Sequence, residues 1–382
     1  MDLTEFSDIA PFSDEEAAAA LTRLSNHPNT KWISKFIFPD RPESFLGEVL
    51  RSIHTVDEFQ SVVMSKAVNW VVETSMKSFT YDGIEKLKAL EGKYVAMSNH
   101  RDIILDPALT QIVLQQNNLP ETQICVGDNL LKFKSVELLI RSNRMIKVIR
   151  GISARELYLS SQLLSRYIRE AVTSGTSAVW IAQRQGRTKD GIDTTEQGLL
   201  KMLDMSGTGD FVKDFMALNI VPMSISYEYE PCDILKAREL LISRTQKYVK
   251  GETEDLESIM MGIKQYKGQV HLQIGDPLTE EEIREASAFD KNDRYQKIRH
   301  AVDRRVISGY KLWKTNYMAY DMVSGEKKYA DYYTNEDLET FKSYIAQRLL
   351  MVEPSLNKQE LKDIFLHIYS NPVKTREEFL GL

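Results

Sequence analysis

Six short apolar runs, separated by stretches of helical pattern, constrain this chain's fold more than any other feature. They are KYVAMS (93–98), TQICVG (122–127), MIKVIR (145–150), SAVWIA (177–182), IVPMSIS (220–226) and GQVHLQIG (268–275). Each reads as a buried strand. The clearest intervening helix is SARELYLSSQLLSRYIREAVTSG, in which Leu157, Leu164, Ile168 and Ala171 fall on one face and Gly175 ends the run. Strands alternating with helices predict the α/β class, with a mixed sheet flanked by helices. Functional groups on such a sheet gather at the C-terminal ends of its strands.

The flanks read as helical. Ser13 with Glu16, and Thr55 with Glu58, have the spacing of capping boxes. The first opens a helix over DEEAAAALTRL that Asn26, Pro28 and Asn29 close. A second helix is expected near 42–54. A third, from 56 to 79, carries Phe59, Val62, Val63, Ala67, Trp70 and Val71 on one stripe. The tail after residue 292 is again helical. The expected division is a helical bundle over 1–78, an α/β domain over 79–291 and a helical C-terminal extension over 292–382.

Bulk properties exclude several function classes. The chain has 382 residues and a formal charge of −6 at pH 7, which argues against a nucleic-acid partner. No run of 18 apolar residues exists, so a membrane span is not expected. The acidic start MDLTEFSDIAPFSDEE does not resemble a secretory signal. A cytoplasmic location follows as the expectation, with peripheral membrane contact left open. Cys125 and Cys232 lack metal-ligand spacing and read as inert thiols.

Three strand ends carry polar clusters. After the first run comes SNHRDIILDP, with Asn99, His100, Asp102 and Asp106. Asp106-Pro107 has the form of a helix start, with Asp as N-cap and Pro at the first helical position. A carboxylate held there could accept one imidazole N–H of His100 and leave the other nitrogen as a base. The third run ends in Arg150-Gly151, preceded by Lys132, Lys134, Arg141, Arg144 and Lys147. The fourth is followed by QRQGRTKDG, where Gly186 sits among Arg184, Arg187 and Lys189 and lets backbone and cations approach an anion together. No nucleotide-binding glycine motif is present. Each cluster has a plainer reading alone, as a structural histidine, a helix cap and a solvated charge run. Together they offer a base beside cations, the requirement for deprotonating the hydroxyl of a phosphate-bearing alcohol.

In their order, SNHRDIILDPA, VWIAQRQGRTKDG and IVPMSISYEYEP resemble the motif blocks of the glycerolipid acyltransferases, the glycerol-3-phosphate and 1-acylglycerol-3-phosphate acyltransferases. The likeness is strongest to the soluble plastid-type glycerol-3-phosphate acyltransferase and covers about residues 80 to 280. It implies His100 as general base and Asp106 as its orienting partner. It implies Arg187 and Lys189 as cations for the acceptor's phosphate, Arg150 as a further contact, and Pro222 as a residue shaping the acyl or acceptor pocket. Two departures stand out. Five residues, not four, separate His100 from the aspartate, so either the loop bulges or Asp102 takes part instead; the rigid Asp-Pro start favours Asp106. Gln185 replaces a glutamate common in the membrane-bound branch, leaving Arg187 and Lys189 without an obvious carboxylate neighbour. The resemblance implies acyl-CoA or acyl-carrier protein as co-substrate and no other cofactor. The acceptor would be glycerol-3-phosphate or lysophosphatidic acid, with an acyl-amino-acid lipid as a more distant option. A lipid- or acyl-binding protein on the same fold, without turnover, is the competing class.

Overall fold

The computed structural model describes residues 5–131, 133–150 and 153–381. Lys132 and Gly151, read above as part of the basic run, lie outside the described residues. The centre is one seven-stranded sheet: β1 (Met76–Asp82), β2 (Val95–Ser98), β3 (Gln123–Gly127), β4 (Met145–Val148), β5 (Val179–Ala182), β6 (Ile220–Tyr227) and β7 (Gly268–Ile274). Their spatial order is β1-β7-β6-β2-β5-β3-β4. Strands β4, β3, β5, β2 and β6 run parallel, β7 is antiparallel to β6, and β1 is parallel to β7. The expected mixed α/β sheet is therefore present.

Both faces of the sheet are covered, and the strands read as continuous apolar runs for that reason. Val95 and Met97 of β2 and Val179 and Ile181 of β5 enter one core. There they meet Leu164, Ile168 and Ala171 of the Ala154–Thr173 helix and Val302 and Val306 of the Asp293–Gly309 helix. Ala96 and Trp180 face the opposite core, with Leu109 and Val113 of the Leu105–Gln116 helix and Val68 and Val71 of the Ser65–Ser75 helix. Leu157 does not share the buried face expected for it and is 48% exposed. Its turn of helix extends past the edge of the core.

All six expected strands form. The seventh, β1, occupies a stretch read as the end of a long helix. That helix stops at Ser75, and Met76–Asp82 pairs along β7 from Met76↔Gly268 to Asp82↔Gln273. A partner almost two hundred residues away supplies the ladder, and tertiary pairing overrides the local helical pattern. Both capping boxes are present, on Ser13 and Thr55. Pro28, taken as a helix stop, instead opens the Pro28–Ile37 helix at its first position, where a missing N–H costs nothing.

The tail packs against the α/β unit at a defined place. The Lys358–Leu380 helix lies on the Lys314–Ser324 and Asp233–Ser243 helices. Gly191, at φ +82°, sits so close to it that an added Cβ would meet the Ile368 carbonyl oxygen at 2.2 Å. Asn371 donates to the Asp190 carbonyl at 2.7 Å. The tail thereby braces the QRQGRTKDG loop from behind.

Candidate active site

The chain leaves β2 at Ser98 and is fastened at once. The Asn99 side chain accepts from Ile225 N–H at 2.8 Å and donates to Ile225 O at 3.0 Å and Asp193 Oδ2 at 2.9 Å. It is fully buried, so it acts as a staple between β2, β6 and the 186–193 loop. His100 follows, with a side chain only 15% exposed. Its Nδ1 lies 2.8 Å from Asp106 Oδ2. The carboxylate is an acceptor, so Nδ1 is the donor, and in the neutral ring Nε2 keeps its lone pair. The ring packs edge-on to Trp180 at 5.9 Å.

Asp106 is buried and fully engaged. Its Oδ2 also accepts Arg101 N–H at 2.6 Å and Asp102 N–H at 2.9 Å, and its Oδ1 accepts the Tyr227 hydroxyl at 2.7 Å. Burial, reinforced by the charge of Asp106, pushes the Tyr227 hydroxyl far above its ordinary pKa, so it stays protonated and donates.

The helix start differs from the expected one. The helix begins at Leu105, so Asp106 is in its first turn and is not the N-cap. Asp102 does that work: its Oδ1 accepts Ile104 N–H at 2.9 Å and Leu105 N–H at 2.8 Å. The fifth residue of the loop is absorbed by this turn, and Asp106 keeps its contact with His100. The other oxygen of Asp102 faces Gly262, where an added Cβ would lie 2.2 Å away.

Beneath the loop lies a buried charge network. Arg101 is fully buried and bonds Asp193 at 2.6 Å, lies 3.3 Å from Glu230, and stacks over Tyr310 at 4.8 Å. Burial acts to lower its pKa, but Asp193 and Glu230 prevail and hold it well above the ordinary value. Lys236 donates to Arg101 O and Glu230 Oε1, each at 2.7 Å. Charges this deep are kept only when paired and hydrogen-bonded.

The 186–193 loop comes directly to His100. Thr188 N–H donates to His100 O at 2.7 Å, and its hydroxyl donates to Asp193 Oδ1 at 2.8 Å. The backbone between Arg187 and Lys189 is therefore tied to that of His100. Gly186 is at φ +73° with open space around it. Arg187 donates to Ser258 Oγ at 3.2 Å. Lys189 forms an ion pair with Glu239 of the Asp233–Ser243 helix, so the expectation that it lacks a carboxylate partner is corrected. Arg187 Nη1 and Arg184 Nε are buried without a protein partner.

Arg150 follows β4 at the same edge of the sheet, with its guanidinium close over Gly127 at the end of β3. Burial lowers its pKa, partly offset by Asp128, Asp255 and Glu196. Asp255 also feels Arg187 and accepts from Asn129 at 3.1 Å, so the Glu254–Lys264 helix links the two arginines. Pro222 is buried in the middle of β6, opposite Met97, and its carbonyl accepts Gly275 N–H at 2.9 Å. It sits within the sheet, whereas Tyr227, five residues on, reaches the site.

Residues 78–226 match the family model described as Acyltransferase. They form an acyltransferase-family domain. The match contains His100, Asp106, Arg150, Arg187, Lys189 and Pro222, and the resemblance read from the sequence blocks is borne out. Among solved structures similar to this chain is the 1-acyl-sn-glycerophosphate (LPA) acyltransferase PlsC from Thermotoga maritima, at TM-score 0.39 and 13% identity over 75% of this chain and 92% of that one. No curated protein matches the chain. Among the described residues, no helix of the acyltransferase domain or its flanks is long and apolar enough to cross a membrane.

Besides the residues expected from sequence, the site thus contains Arg101, Thr188, Asp193 and Tyr227. Arg101, Thr188 and Tyr227 stand inside the quoted blocks. Their burial and aim were the missing signals.

Proposed function

We propose that this chain transfers a fatty acyl group from an acyl thioester, acyl-CoA or acyl-carrier protein, to a hydroxyl of glycerol-3-phosphate or 1-acylglycerol-3-phosphate. The observation that carries the reading is the buried His100–Asp106 pair with the Arg187–Lys189 loop hydrogen-bonded to the histidine's own carbonyl.

In this reading Nε2 of His100 takes the acceptor's hydroxyl proton as its oxygen attacks the thioester carbonyl. The new C–O bond forms, the C–S bond breaks, and the proton passes from the imidazolium to the leaving thiolate. The thioester is already activated, so this sequence uses no metal or redox cofactor. A positioned base contributes about 10²–10⁴ in rate. Asp106 fixes the tautomer and offsets the charge that develops on the ring. The buried N–H groups of Arg184 and Arg187 that lack protein partners suit a phosphate, which accepts several charge-assisted bonds at once. Arg150 offers a further cation across the Asp255 carboxylate.

The competing reading, a binding protein without turnover, leaned on the five-residue spacing. The turn capped by Asp102 takes up that residue and leaves the His100–Asp106 bond in place. The test is thiol release from palmitoyl-CoA and from palmitoyl-carrier protein, each with glycerol-3-phosphate and with lysophosphatidic acid. Release that depends on one of these acceptors supports the reading and names the pair. A thioester that binds and is never consumed with either acceptor contradicts it.

A further inference from the structure

The Glu254–Lys264 helix buries unusual residues. A helix that only packs hides an apolar stripe. Here Ser258 and Gly262 alone are buried, while Leu256 is 54% exposed. Asp255, Ser258 and Gly262 stand three and then four positions apart, which places them on one face. That face meets the candidate site at three points. Asp255 accepts from Asn129 Nδ2 at 3.1 Å, just past the end of β3. Ser258 Oγ accepts from Arg187 Nη2 at 3.2 Å. Gly262 lies against the Asp102 carboxylate, where an added Cβ would stand 2.2 Å from Oδ2. The helix follows the 78–226 segment, so the acyltransferase match does not contain it.

Each contact has a physical consequence. A hydroxyl orients a guanidinium without cancelling its charge, whereas the Glu239 carboxylate pairs with Lys189. Arg187 is thus aimed through Nη2, and its Nη1 stays buried without a protein partner. Glycine weakens a helix interior, and its place at 262 answers to the close approach of Asp102. A larger residue would push the carboxylate that caps the Leu105–Gln116 helix, and with it the turn between His100 and Asp106. The helix is itself held along its length. Lys250 pairs with Asp255 near its start, and Cys232 Sγ donates to Ser258 O at 3.1 Å. Past its end, Lys267 donates to Ile263 O at 3.3 Å and to Ser75 Oγ at 2.8 Å.

We propose that the Glu254–Lys264 helix is the spacer that sets the anion cradle against the base, with Ser258 and Gly262 as positioning residues. Ser258 aims Arg187 at the acceptor's phosphate. Gly262 leaves Asp102 the room to cap the histidine loop. One rod in contact with both fixes their separation, and geometry of this kind governs rate. The inference rests on the acyl-transfer reading for its substrate, and its two residues act through Arg187 and Asp102.

The test uses the full chain and measures inorganic phosphate binding by calorimetry beside steady-state kinetics. Ser258→Ala should weaken phosphate binding by roughly three- to tenfold, because the hydrogen bond that aims Arg187 is lost. It should raise KM for the acceptor that supports thiol release by a similar factor, with kcat and the thermal midpoint little changed. Gly262→Ala, compared at matched folded fraction, should do the reverse. It should lower kcat by roughly tenfold or more and leave phosphate binding intact. Unchanged phosphate binding in Ser258→Ala, or wild type that binds no phosphate, would overturn the proposal. So would a Ser258→Ala effect falling on kcat and the thermal midpoint together, the mark of a merely structural residue. A folded Gly262→Ala with wild-type kcat would overturn it as well, and Ser258→Ala decides even where Gly262→Ala does not fold. Wild type that releases no thiol, yet binds phosphate more tightly than Ser258→Ala, would contradict acyl transfer and support the aiming of Arg187.

Discussion

The two halves of the candidate site are built on opposite plans. Around His100 nearly everything is fixed: Asp106 is 1% exposed and accepts four hydrogen bonds, two of them from backbone. In the 186–193 loop the cations are held by side chains from other helices, and Lys189 keeps a third of its surface in solvent. A base gains from one fixed geometry, because misplacement weakens proton transfer. A phosphate cradle gains from partners it can exchange, since the anion must displace something on entering. The contrast teaches that substitutions near His100 should act on turnover and stability, and substitutions in the loop on substrate affinity.

Asp106→Asn should have the largest effect. An amide cannot accept at both ends as the carboxylate does, so at least one buried donor loses its partner at about 1–3 kcal/mol. Turnover should fall by about 10² or more as the imidazole loses its charged orienting partner. A variant within a few-fold of wild type in steady-state kinetics would break the contrast on its rigid side.

Arg187→Ala should come next and should act differently. Losing one charge-assisted bond to a phosphate, about 1.5–3 kcal/mol, raises KM for the acceptor roughly tenfold or more with kcat little changed. A fall confined to kcat would place Arg187 with the base instead.

Tyr227→Phe removes one neutral donor from Asp106 while keeping the ring. The lost bond is to a buried carboxylate, so about 1.5–3 kcal/mol of stability should go, read as a lower denaturant midpoint, with turnover reduced several-fold. An unchanged midpoint would mean that the second oxygen of Asp106 needs no partner.

Lys189→Ala should be the mildest. Its pair with Glu239 is partly exposed and worth about 0–1 kcal/mol, so stability should barely move. A rise in acceptor KM smaller than that of Arg187→Ala is expected. A larger rise would reverse the order of the two cations.

The same contrast explains what could be read from the chain alone. Six strands were legible as short, mainly apolar runs, clearest in β2, β5 and β6, which are buried along almost their whole length. His100 and Asp106 were legible because they are six positions apart and meet through one local turn. What escaped notice depends on distant partners. β1 exists through its ladder with β7. The Lys189–Glu239 pair spans fifty positions, and the Tyr227–Asp106 bond needs the register of β6 against β2. Asp102 and Asp106 exchanged one expected role: both stand before a helix, and only the backbone path decides which one caps it. Pro222 carried the block's pattern, yet the residue of that strand that reaches the site is Tyr227.

The most direct measurement is acceptor-dependent thiol release by wild type and His100→Ala, at matched folded fraction by circular dichroism. The account predicts a folded variant whose turnover is at least about 10² lower. A folded variant within a few-fold of wild type would contradict it.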